Sequence, residues 1–78
     1  MNKEDYEFYY VISESFVEDQ SFENYLESVQ RWLMLSDWHY SAERAKELIS
    51  DRMSMIEHSF RKKEPVSSAA VDVGYCCG

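Results

Sequence analysis

The sequence predicts an all-α fold: a small bundle of three helices over about 3–18, 21–36 and 42–62, plus a short C-terminal helix over about 66–73. Two observations carry this. The first glycine is Gly74 and the only proline is Pro65, so no strong helix breaker interrupts the chain before position 65. The same stretch is rich in Glu, Leu, Met, Lys and Arg, and its apolar residues recur at helical spacing.

In the first segment Asn2 can cap, and Glu4, Asp5 and Glu7 favour the positive end of a helix dipole. Tyr6, Tyr9, Tyr10, Phe16 and Val17 share one broad apolar face. The run Tyr6-Glu7-Phe8-Tyr9-Tyr10-Val11-Ile12 also has high β propensity. A lone strand without a partner is unstable, which favours helix over 6–12.

The second segment opens on Ser21 as N-cap and repeats Phe22, Tyr25, Leu26, Val29, Trp32 and Leu33 at i, i+3, i+4 and i+7. Glu27 and Arg31 stand in the favourable i,i+4 order for an ion pair. Ser36-Asp37-Trp38-His39-Tyr40 breaks the pattern and reads as a loop. Ser41 caps the third helix, whose stripe is Ala42, Ala45, Leu48, Ile49, Met53, Ile56 and Phe60. After Pro65 a short fourth helix should run to Val73, stop at Gly74, and pack Ala69, Ala70 and Val73 on the third. The expected core is Trp32, Leu33, Leu48, Ile49, Met53, Ile56 and Phe60, with the third helix as spine and the second antiparallel to it.

Seventy-eight residues make one small domain, expected over 1–73 with a flexible Cys-Cys-Gly tail over 74–78. Such a chain buries only about 60 % of its unfolded surface, and an aromatic content of 15 % supplies the bulk that compensates. Its net charge of −7 is unevenly placed. Residues 1–30 hold eight acids against Lys3 alone, whereas 31–78 balance seven acids with seven bases. The acidic half repels nucleic-acid phosphates and anionic membranes and attracts a basic protein surface.

Met1-Asn2-Lys3-Glu4-Asp5 has no secretory character, and no run approaches the ~20 apolar residues that cross a bilayer. Adjacent Cys76 and Cys77 cannot staple a secreted scaffold, so a cytoplasmic protein with reduced thiols is expected. Compactness without low-complexity sequence fits a bacterial source.

Catalytic chemistry finds little support. His39 and His58 lie in different segments, and adjacent cysteines converge poorly on one tetrahedral zinc. A Cys–His nucleophile needs rigidity that a terminal Cys-Cys-Gly lacks, and the carboxylates are patterned for a surface. No metal or cofactor is implied, and a non-enzymatic protein is expected. A thiol- or metal-binding role, or a precursor peptide presenting Cys76 and Cys77, is one alternative.

Pro65-Val66-Ser67-Ser68-Ala69-Ala70-Val71-Asp72-Val73-Gly74-Tyr75 resembles the first helix and turn of a helix-turn-helix of AraC-type regulators. The resemblance covers about eleven residues and implies small residues packed on a recognition helix, with the turn at Gly74. Only three residues follow, so a groove-reading helix is not expected, and nucleic acid is the alternative partner.

The acidic stripe is the leading candidate site. On a continuous helix Glu7, Glu14 and Glu18 fall within about 40° of one another, with Glu4 nearby. Phe8 and Val11 then lie beside the stripe, on the side away from the tyrosines. Glu4, Glu7, Phe8, Val11, Glu14 and Glu18 are therefore expected to dock a basic protein partner, with the chain a monomer or homodimer.

Overall fold

Five α-helices and one 3₁₀ turn follow one another along residues 2–75, the part of the chain that this computed structural model describes. They are α1 (Lys3–Tyr10), the 3₁₀ turn Ile12–Glu14, α2 (Phe22–Leu35), α3 (Ala42–Asp51), α4 (Met53–Arg61) and α5 (Val66–Tyr75). No strand occurs among the described residues, so the all-helical class and the helical reading of 6–10 hold.

Each expected cap forms. Asn2 Oδ1 accepts from the Asp5 amide at 2.8 Å, and the Ser21 and Ser41 hydroxyls accept from the Asn24 and Arg44 amides at 3.1 Å each. These bonds satisfy first-turn donors that the helices cannot satisfy themselves.

The helix ends depart from expectation. The first helix stops at Tyr10 instead of running to 18. Val11 leaves helical geometry (φ −121°, ψ −63°), and the fully buried Ser13 donates its hydroxyl to the Tyr9 carbonyl at 2.6 Å. A serine that bonds nearby backbone competes with helix propagation, and two β-branched residues precede it. The predicted 42–62 helix is two segments, broken at Arg52 (φ −121°, ψ 30°), whose amide donates to the Leu48 and Ile49 carbonyls. Both segments, α3 and α4, pack against α2 and α5.

The chain leaves α4 by a Schellman closure. The Lys63 amide donates to the Phe60 carbonyl at 3.1 Å and the Glu64 amide to the Ser59 carbonyl at 3.0 Å. Lys63 takes the left-handed position (φ 58°) that glycine normally fills. Its side chain meets Glu18 at 3.1 Å on the exposed surface, which is worth ~0–1 kcal/mol. The backbone strain at a non-glycine residue is ~1–2 kcal/mol. Lys63→Gly should therefore raise stability by about 0.5–1 kcal/mol in urea unfolding. A loss would show that the ion pair outweighs the strain.

α5 packs chiefly on α2, and the expected third helix meets α2 through both of its parts, α3 and α4. Ala69, Ala70 and Gly74 present almost no side chain on the buried face of α5, which allows close approach. The shortest dimension of the molecule is 17 Å. The core holds the predicted Trp32, Leu33, Leu48, Ile49 and Ile56, while Met53 and Phe60 are only partly buried against it. It also contains Phe8, Tyr25, Val29, Ala45, Val66, Ala69, Ala70 and Val73.

Gly74 does not stop α5, and its backbone is not left-handed. The helix continues through Tyr75, so these two residues belong to the domain and no helix-turn-helix turn forms at Gly74. A Cβ there would overlap Trp38 ring atoms Cζ3, Cη2 and Cε3. A glycine inside a helix costs ~1 kcal/mol relative to alanine, and here it makes room for an indole. The Cys76-Cys77-Gly78 tail lies outside the described residues.

Tyr25, fully buried beneath Phe16 and Phe60, donates its hydroxyl to the Glu64 carbonyl at 2.9 Å. Burial, aided by the Glu64 carboxylate, pushes its phenol up to about 12. The unfolded chain ionises near pH ~10 while the folded chain keeps its proton. Tyr25 thus adds stability that is complete below pH ~10 and is lost as pH rises towards 12. Tyr25→Phe should flatten this alkaline limb in a pH series of urea midpoints. An unchanged limb would assign it to other groups.

Candidate protein-interaction surface

The predicted acidic stripe does not form one face. Glu4 and Glu7 are exposed on α1, Glu14 is exposed in the 3₁₀ turn, and Glu18 is exposed beyond it, paired with Lys63. The end of α1 at Tyr10 separates them. Val11 is exposed, as expected, but Phe8 is 5 % exposed and part of the core.

The buried side of α1 is therefore rotated by about 100° from the one expected, with Tyr9 common to both. Asp5, Phe8 and Tyr9, at helical i, i+3 and i+4, face α2: Asp5 accepts from Arg31 at 2.8 Å, and Tyr9 stacks on Trp32 at 4.9 Å. The Arg31 guanidinium also lies over the Phe8 ring, 4.4 Å from its centroid. Arg31 is thus drawn to α1, and the pair expected with Glu27 gives way to Asp5. Tyr6 and Tyr10 turn outwards, 59 % and 55 % exposed, with ring centroids 4.7 Å apart.

From these tyrosines a chain of ring contacts crosses the molecule. Tyr10 meets Tyr9 edge-on at 4.9 Å, and Tyr9 stacks on Trp32. Trp32 meets Trp38 at 6.2 Å, and Trp38 meets Tyr75 at 6.4 Å. The middle of this row lines a cleft of about 250 Å³ whose walls include Tyr9, Trp32, Asp37, Trp38, Val71 and Tyr75.

Several local features hold the cleft open. Ser36 ends α2 with its hydroxyl donating to the Leu33 carbonyl at 2.7 Å, and the same oxygen accepts from the Trp38 amide at 3.3 Å. His39 has a left-handed backbone (φ 51°), which turns the chain from Trp38 back towards α3. Gly74 gives Trp38 its seat on α5. Burial raises the Tyr9 phenol above its ordinary range, and the charges of Asp37, ionised Tyr10 and Glu14 add to the effect. Asp37 and Tyr9 both line the cleft. Trp32 Nε1 is buried without an acceptor among the described residues.

A wider depression, about 410 Å³, lies beside Asp5, Glu27, Arg31 and Met34. Two of its charges already neutralise each other in the Arg31–Asp5 pair. His39 in its loop and His58 on α4 stay apart in sequence elements, and no group of three His, Cys, Asp or Glu ligands occurs among the described residues. Among the same residues no helix is long and apolar enough to cross a membrane.

No family model, curated protein or solved structure matches this chain. Sequence reasoning missed the cleft because its walls come from four separate segments. The available signal was the density of Trp and Tyr over 32–40, with no matching demand for so many rings in the core.

Proposed function

We propose that the protein is a non-enzymatic interaction or regulatory module of the cytoplasm that docks a basic protein surface. The observation that supports this reading is the pair of exposed ring groups at the two ends of the row, Tyr6 with Tyr10 and Trp38 with Tyr75, together with the exposed acids Glu4, Glu7 and Glu14. Aromatic side chains are enriched at protein interfaces, and acids beside them speed the encounter with a basic partner. Val11, next to Tyr10, extends the apolar part of this surface.

The reading is tested by association kinetics with a synthetic lysine- and arginine-rich peptide across a salt series, with a DNA duplex as competitor. Glu4→Lys with Glu7→Lys changes only exposed residues, so stability should shift by about 0.5 kcal/mol or less per site. Association should slow at least about threefold at low salt and converge with wild type at high salt. An unchanged rate, or a preference for the duplex, would overturn the reading in favour of another surface or of nucleic acid.

A further inference from the structure

We propose that the cleft between α1, the 36–40 loop and α5 is a receptor for one arginine side chain of the basic partner. The guanidinium stacks among the rings of Tyr9, Trp38 and Tyr75 and pairs with the Asp37 carboxylate. This rests on the interaction-module reading above and names the group that such a module recognises.

Size is the first argument. At about 250 Å³ the cleft falls below the ~300–1,000 Å³ typical of small-molecule and cofactor sites. It suits a side chain reaching in from a larger partner. The walls are the second. Trp38 stands at 64° to Trp32 and 80° to Tyr75, and all three rings line the cleft together with Tyr9. Trp38 is 39 % exposed and Tyr75 75 %, so both rings are reachable from solvent. Electron-rich ring faces attract cations, tryptophan most strongly.

Charge is the third argument. Asp37 lines the cleft, and Glu14 also acts on Tyr9. With a net charge of −7, a second copy of the chain would be repelled, and an anionic ligand equally so. The fourth is that the molecule already uses the same combination internally. Arg31 lies 4.4 Å over the Phe8 ring while bonding the Asp5 carboxylate at 2.8 Å. A planar guanidinium can stack on a ring and present a fork of donors to a carboxylate at once; an ammonium cannot.

The experiment titrates the full chain with capped Gly-Ser peptides carrying two arginines, two lysines, two trimethyl-lysines or two citrullines, followed by tryptophan fluorescence and calorimetry. The arginine peptide should saturate with a Kd of about 1 mM or tighter, at least about tenfold tighter than its neutral citrulline counterpart. Trp38→Leu, which keeps apolar bulk without a π face, and Asp37→Asn, which keeps shape without charge, should each weaken binding about tenfold. Gly74→Ala, which displaces the Trp38 ring, should do the same while the helical circular dichroism is retained.

Equal binding of arginine and citrulline peptides would overturn the proposal, as would no saturation at millimolar peptide. Tighter binding of trimethyl-lysine would also overturn it and make the cleft an ammonium cage. If these variants bind like wild type while Glu4→Lys with Glu7→Lys still slows association, the arginine receptor fails and the broader interaction reading stands. If neither set of variants alters association, both fail.

Discussion

Tyr25→Ala is expected to destabilise the protein by about 3–5 kcal/mol, the largest effect of any single truncation considered. Tyr25 is fully buried, its ring lies 5.2 Å from Phe60 and 6.0 Å from Phe16, and its hydroxyl ties α2 to the Glu64 carbonyl. Alanine removes the ring contacts, opens a cavity and leaves that carbonyl without its donor. At ~0.05–0.15 kcal/mol per residue, a chain of this length has only about 4–12 kcal/mol in total. The variant should be at the edge of unfolding at 25 °C. A change below about 1 kcal/mol in urea unfolding would mean that the α2–Glu64 junction is not part of the cooperative core.

Ile56→Ala should cost about 2–5 kcal/mol, and it tests a different part of the fold. Ile56 is fully buried on α4, one turn after the break at Arg52, with its amide bonded to the Arg52 carbonyl at 3.1 Å. The cost depends on how far α2 and α5 can close over the missing atoms. Ile56→Val removes one methylene and should cost only about 0.5–1.5 kcal/mol. Near-equal, small effects for both substitutions would place Ile56 outside the core and refute the buried face assigned to α4.

Local chemistry was legible in the sequence wherever a residue acts on its neighbours. Asn2, Ser21 and Ser41 cap helices because their side chains reach amides three residues ahead, a rule that needs no tertiary context. Tyr25, Val29, Trp32 and Leu33 bury at the spacing read for α2, whose apolar stripe is well separated from its polar face. The α1 face was not legible by spacing, since apolar side chains occupy Tyr6, Phe8, Tyr9 and Tyr10 all round a short helix. Chemistry offered a better guide. Phe8 is the one ring among them without a hydroxyl, and it is the one most deeply buried.

The break at Arg52 has no glycine or proline to announce it; packing of α3 and α4 onto other helices overrides a continuous helical pattern. Gly74 reads as a stop signal by propensity alone, but its role is set by Trp38, thirty-six residues away. The candidate site suffered most from this. The acidic stripe required residues 4–18 to be one helix, and the Ser13 bond to the Tyr9 carbonyl ends that helix early. The aromatic cleft is assembled from α1, α2, the 36–40 loop and α5, a juxtaposition that exists only after folding.

The docking surface can be located directly by two-dimensional NMR of the nitrogen-15-labelled chain, in which Trp32 and Trp38 each contribute one indole N–H signal. Titration with the two-arginine peptide should shift the Trp38 and Trp32 indole signals together with the amides of 36–40 and 71–75. Shifts centred on the amides of 13–18, with both indole signals unmoved, would contradict recognition through the cleft and return the site to the acidic segment.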